Sequence, residues 1–131
     1  MPKATILFAD NDPDFLVTRA EFLRQEGYQV IPVSDVATAR RMLEQGDIDL
    51  AILDIRLVND DDEKDASGIA LARDAAYRDI PKIVLTNFPS TAVAVQALRP
   101  DANGQSPAFD FVTKEEGPEV MLKAIKQALS I

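Results

Sequence analysis

The chain has 131 residues, 47% of them hydrophobic, and a formal net charge of −8, which suits one domain with one filled core. The acidity argues against a nucleic-acid surface, because no basic stripe is there to neutralise phosphates. The absence of cysteine and histidine excludes disulfides, thiolate or imidazole metal sites and a Ser-His-Asp triad.

Strand-like and helix-like segments alternate along the chain. Residues 4–9 are short and apolar, as in a strand covered on both faces. Asp12-Pro13 predicts an N-cap with proline at the first helical position, opening a helix that places Phe15, Leu16, Ala20, Phe22 and Leu23 inward and stops at Gly27. A second strand is predicted over 28–33. A second helix follows, capped by Ser34 or Asp35, with Val36, Ala39, Met42 and Leu43 inward and Gly46 as its stop. The third strand is expected over 49–53. A polar, acidic loop runs over 58–65, and the third helix over 67–77. A fourth strand is expected over 81–86 and a fourth helix over 90–98. An irregular insertion over 99–107 carries Pro100, Asn103-Gly104 and Pro107. The fifth strand covers 109–113 and the fifth helix 118–129, with Val120, Ile125 and Leu129 on its apolar side. No apolar run approaches the roughly 18 residues that span a bilayer. Met1-Pro2-Lys3 leads almost at once into a strand, so no signal peptide and a cytoplasmic location are expected.

Five βα units in succession favour an α/β fold, a doubly wound parallel sheet with helices on both faces. For a five-stranded domain the common order is the flavodoxin-like 2-1-3-4-5. Strands 1, 3, 4 and 5 are then consecutive neighbours, roughly 4.8 Å apart. Asp10, Asp54, Thr86 and Lys114 follow their ends and therefore share the edge where open α/β sheets bind ligands. Two carboxylates, a hydroxyl and an ammonium suit a divalent cation and a phosphoryl group. The second strand, ending Ile31-Pro32-Val33, contributes nothing polar there.

The whole chain, 1–131, resembles the receiver domain of two-component response regulators. The resemblance rests on Ile6-Leu7-Phe8-Ala9-Asp10-Asn11-Asp12-Pro13, on Asp49-Leu50-Ala51-Ile52-Leu53-Asp54, on Gly68 opening the third helix, on Pro81-Lys82-Ile83-Val84-Leu85-Thr86 and on Phe111-Val112-Thr113-Lys114. It implies that Asp54 accepts a phosphoryl group from a phosphohistidine on a sensor histidine kinase or phosphotransfer protein. It implies magnesium held by Asp10, Asn11, Asp54 and the Arg56 backbone carbonyl, in keeping with that ion's taste for oxygen ligands. Lys114 and Thr86 would hold phosphoryl oxygens, and Thr86 with Phe111 would switch the face of the fourth helix and fifth strand. The implied partners include a downstream protein or output domain and a second copy in a homodimer. The only chemistry implied is slow autodephosphorylation.

Four departures from the family pattern stand out. Asn11 occupies the second place of the acidic pair and removes one negative charge. The loop after Asp54 is long and acidic. Glu115 stands where a proline, typically after a cis peptide bond, is common. A cis bond before a non-proline residue costs ~2.5–4 kcal/mol, so a trans bond is expected. The 99–107 insertion lengthens the approach to the fifth strand.

Simpler readings apply residue by residue. Asp12 is read as a helix cap alone. Asp10 and Asp54 could be ordinary strand-end acids, Thr86 a cap, Lys114 a solvated lysine and Phe111 plain aromatic core. The run Asn59 to Asp65 lacks the glycine and glutamate of a calcium loop. Two competing functions follow. One is a pseudo-receiver, a protein-interaction module never phosphorylated. The other is a magnesium-dependent phosphohydrolase, which would need an acid where Arg56 stands. The receiver reading requires the four edge side chains to converge and Asp54 not to be turned into the interior away from solvent.

Overall fold

Alternate residues along the apolar strands face opposite helix layers, and that alternation builds two cores. The computed structural model describes residues 4–58, 65–86, 98–100 and 108–130. Strands β1 (Thr5–Ala9), β2 (Gln29–Val33), β3 (Leu50–Asp54), β4 (Lys82–Thr86) and β5 (Asp110–Thr113) form one parallel sheet in the order β2-β1-β3-β4-β5. The flavodoxin-like order expected from the sequence is the one found. On one face Leu7, Ala9, Ala51, Leu53 and Val84 pack with Ala39, Leu43, Ile69 and Leu71 of helices α2 (Val36–Gln45) and α3 (Ser67–Arg73). On the other, Ile6, Phe8, Leu50, Ile52, Ile83 and Leu85 meet Leu16, Ala20 and Leu23 of α1 (Pro13–Gln25). The C-terminal helix (Pro118–Leu129) joins this second layer through Met121, Ala124, Ile125 and Ala128. Each such large aliphatic side chain contributes about 1.5–3 kcal/mol when removed from water.

Local signals set the helix ends. The Asp12 carboxylate accepts from the backbone N–H groups of Asp14 and Phe15, and Pro13 takes the first helical position. Asp35, rather than Ser34, caps α2 by accepting from Thr38 N at 2.7 Å. Gly46 ends that helix at φ +87°, a left-handed conformation that favours glycine. Pro32 is tolerated because β2 is an edge strand and its missing N–H leaves no ladder bond unmade.

Three expectations need correction. The third helix ends at Arg73 rather than running on to Tyr77. Asp74 turns extended, its carboxylate accepts from Ala76 N at 3.0 Å, and a single 3-10 turn covers Ala75–Tyr77. This is the local side-chain competition by which aspartate stops helices. Val120 is 40% exposed rather than on the apolar side; the stripe at 121, 124, 125 and 128 follows helical spacing and leaves it to one side. Strand β5 begins at Asp110 rather than at residue 109. The expected fourth helix lies, except for Leu98, outside the described residues, as do most of the acidic loop and residues 101–107 of the insertion. Among the described residues no helix is long and apolar enough to cross a membrane.

Candidate functional site

Register places the polar strand ends side by side. Ala9 pairs with Leu53, Asp54 with Leu85 and Thr86 with Thr113, so Asp10, Asp54, Thr86 and Lys114 stand at nearly one level. The backbone continues the ladder there: Asp10 N donates to Val33 O, Ile55 N to Leu85 O and Lys114 N to Thr86 O, at 2.9–3.0 Å. All four residues are buried, with 0%, 1%, 2% and 7% exposure respectively.

Lys114 joins the two acids. Its Nζ lies 2.9 Å from Asp10 Oδ1, 2.8 Å from Asp10 Oδ2 and 3.4 Å from Asp54 Oδ2. Asp10 Oδ1 also accepts from Asp12 N at 2.9 Å. Burial raises the Asp10 pKa, and its bonds to Lys114 and to Asp12 N oppose the rise. Asp54 thus faces the Lys114 ammonium at the sheet edge, but the expectation that it stays open to solvent is not met: only 1% of it is exposed.

Asn11 and Arg56 meet in the same corner. Asn11 Nδ2 donates to the Arg56 carbonyl at 3.1 Å, while Asn11 Oδ1 is buried without a hydrogen-bond partner. A carbonyl can only accept, so the amide nitrogen must face it and the oxygen must be left over. A buried acceptor left unpaired costs about 1–3 kcal/mol, and an amide oxygen suits a cation rather than an anion. Among the described residues no three acidic side chains gather as a metal cluster. The oxygens available are thus two carboxylates, one amide and one backbone carbonyl, a hard set suited to a small divalent ion that keeps several waters. Asp12 is spent on its helix cap, as expected.

Two contributions gain their physical reason only from the structure. A Cβ on Gly68 would lie 1.9 Å from the Asp54 carbonyl oxygen, so only glycine lets α3 start against the backbone of Asp54. The spacing made Gly68 part of a resemblance, and the close approach gives the reason. Phe15, expected simply to face inward, brings its ring centroid within 4.9 Å of Lys114 Nζ. Asp65 closes the base of the acidic loop, accepting from Val58 N and Ser67 N at 2.9 Å. Phe111 is half-buried against the α2–α3 core layer. The Lys114–Glu115 bond is trans, as expected.

The sequence model of the response regulator receiver domain matches residues 6–126. The chain is 31% identical over 126 residues to the transcriptional regulatory protein GlrR of Escherichia coli, covering 96% of this chain and 26% of that protein. It is 28% identical to the CAI-1 autoinducer sensor kinase/phosphatase CqsS of Vibrio cholerae, covering 92% of this chain and 16% of that one. The chain thus spans about a quarter or less of the length of the curated relatives it matches. Among solved structures, a receiver domain protein (CheY-like) from Methanospirillum hungatei superposes with a TM-score of 0.78 at 26% identity, covering 97% and 94% of the two chains. A Burkholderia pseudomallei response regulator with a phosphorylated aspartic acid, a calcium ion and citrate gives 0.76 at 26%, covering 98% and 69%. With sheet order, sequence model and relatives in agreement, the chain belongs to the response regulator receiver domain family of two-component signalling.

Proposed function

We propose that residues 1–131 act as one receiver unit in which Asp54 is the phosphoacceptor. The observation that carries this is the Lys114 ammonium within 3.4 Å of both edge carboxylates. An Asp54 carboxylate oxygen attacks the phosphorus of a phosphohistidine; the new O–P bond forms as the N–P bond breaks, and the imidazole nitrogen leaves with the electron pair. Lys114 exchanges its bond to Asp54 for one to a phosphoryl oxygen. Thr86 offers its hydroxyl to another, and the half-buried Phe111 follows it as the strand-five face changes. Asp10, Asp54, Asn11 Oδ1 and the Arg56 carbonyl would hold Mg2+, which when bound neutralises negative oxygens on donor and acceptor. For that, the Asn11 amide nitrogen must release the Arg56 carbonyl.

The donor is a sensor histidine kinase or phosphotransfer protein in the cytoplasm, the Vibrio relative being a sensor kinase. The receiver of the phosphorylated signal is a downstream protein or output domain, with a second copy of the chain as a further partner. Direct nucleic-acid binding has no support in a net charge of −8. Chemistry beyond slow loss of the phosphoryl group is not expected. Incubation with Mg2+ and acetyl phosphate, followed by intact mass, should show one added phosphoryl that is absent from Asp54→Ala. A folded protein that never gains mass would overturn the reading, and rapid multiple turnover of the donor would make it an enzyme instead.

A further inference from the structure

Lys114 has a second set of neighbours besides the carboxylates. Phe15 and Arg19 are four residues apart on α1, hence on one helix face. The Phe15 ring packs edge-on to the buried Phe8 ring at 6.1 Å, which fixes it to the core. Two cations approach that ring: Lys114 Nζ at 4.9 Å and the Arg19 guanidinium carbon at 4.7 Å from its centroid. Arg19 Nη2 donates to the Glu116 carbonyl at 3.0 Å, while its Nη1 is buried with no hydrogen-bond partner. The ring's negative face is what compensates that desolvated guanidinium.

Glu116 in turn closes the turn that carries Lys114. Its Oε1 accepts from both Thr113 N and Thr113 Oγ1 at 3.1 Å, and its N–H donates to Thr113 O at 3.2 Å. The segment from Thr113 to Glu116 is thus closed on itself and tied to α1 by one guanidinium. No proline stiffens it, because Glu115 follows Lys114.

We propose that Phe15, Arg19 and Glu116 form a clamp that positions the Lys114 ammonium for the phosphoryl group. The clamp deepens the phosphoacceptor reading and rests on it for its purpose. Phe15 limits the path of the ammonium as it leaves Asp54, and Arg19 keeps the turn behind it from drifting. Arg19 and Phe15 are positioning residues; neither touches the reacting atoms.

The 131-residue chain tests this in two measurements. One is the rate of phosphoryl uptake from acetyl phosphate as a function of Mg2+. The other is acetylation of the Lys114 amine by a small reagent, mapped by mass spectrometry against the exposed Lys123. Arg19→Gln should slow uptake by about three- to tenfold, the range of one lost cation–ring contact, and Phe15→Leu, which loses two, by at least as much, neither moving the Mg2+ midpoint. Lys114 acetylation should rise by a similar factor, and Arg19→Lys should recover part of both effects. Folded variants with unchanged Lys114 acetylation would overturn the clamp, as would a displaced Mg2+ midpoint at an unchanged maximal rate, or Arg19→Lys faring no better than Arg19→Gln. If wild type takes up no phosphoryl yet acetylation still rises in the variants, the phosphoacceptor reading fails and the hold on Lys114 stands.

Discussion

Two lysines are buried at opposite ends of the sheet, and they are satisfied in opposite ways. Lys114, beside the end of β4, pairs with the carboxylates of Asp10 and Asp54. Lys82 begins β4 four residues before Thr86, ~13 Å away along the strand, and donates to the neutral Tyr77 carbonyl. Burial pushes the Lys82 pKa down to about 8, with Asp79 and Asp74 acting only as more distant charges. An ammonium between two carboxylates has its charge compensated where it lies. An ammonium resting on a carbonyl is a strand-end fitting that would be better off neutral. The contrast separates a site from a structural contact although both residues are equally hidden.

The largest test removes the first lysine. Lys114→Met leaves two buried carboxylates without their cation, so unfolding in urea at neutral pH should show a loss of about 3 kcal/mol. A loss below about 1 kcal/mol would mean the carboxylates are served by other groups and the contrast is wrong. Next comes Asn11→Asp, which returns a negative charge to the charged end. Titration calorimetry should find Mg2+ bound about tenfold more tightly, while the metal-free variant melts earlier because a third acid joins Asp10 and Asp54 and the link to Arg56 is lost. Equal affinities would remove Asn11 from the metal set.

The opposite end should respond with the opposite sign. Lys82→Met is expected to stabilise the chain by about 1 kcal/mol at neutral pH, since an apolar side chain replaces an ill-compensated charge. The unfolded lysine titrates near 10.5 and the folded one near 8. Between those values the unfolded chain binds more protons, so the Lys82 contribution makes wild-type stability climb as pH rises from about 8 to 10.5. Urea melts across that window should lose this climb in Lys82→Met; an identical slope would show that Lys82 keeps its proton. The smallest effect belongs to the nearby Arg40–Asp74 pair, at 2.5 Å but with side chains 40% and 33% exposed. Arg40→Ala should cost about 0.5 kcal/mol in the same melts, and a loss several times larger would make the pair part of the hold on Lys82.

Much of this was legible from residue order. Apolar runs ending at Asp10, Asp54, Thr86 and Lys114, with caps at Asp12 and Asp35, gave the elements and their sequence because those signals are local. Helix three was over-extended because the Asp74 side chain, bonding its own backbone and Arg40, overrides helical periodicity. Val120 falls off the apolar stripe because Met121, Ala124, Ile125 and Ala128 are the residues that meet the sheet.

The sequence by itself determined the βα alternation, the chemical types gathered at the strand ends and the missing charge at Asn11. Tertiary structure alone decided which groups touch: that Lys114 reaches both acids, that Asn11 turns its nitrogen to Arg56, that Phe15 meets Lys114 and that Asp54 is sealed. Periodicity and caps follow from bonds between near neighbours, which any reader of the chain can count. Contacts between residues separated by 45 to 104 positions depend on how parallel strands fall into register and how helices pack across them, and no local pattern carries that information.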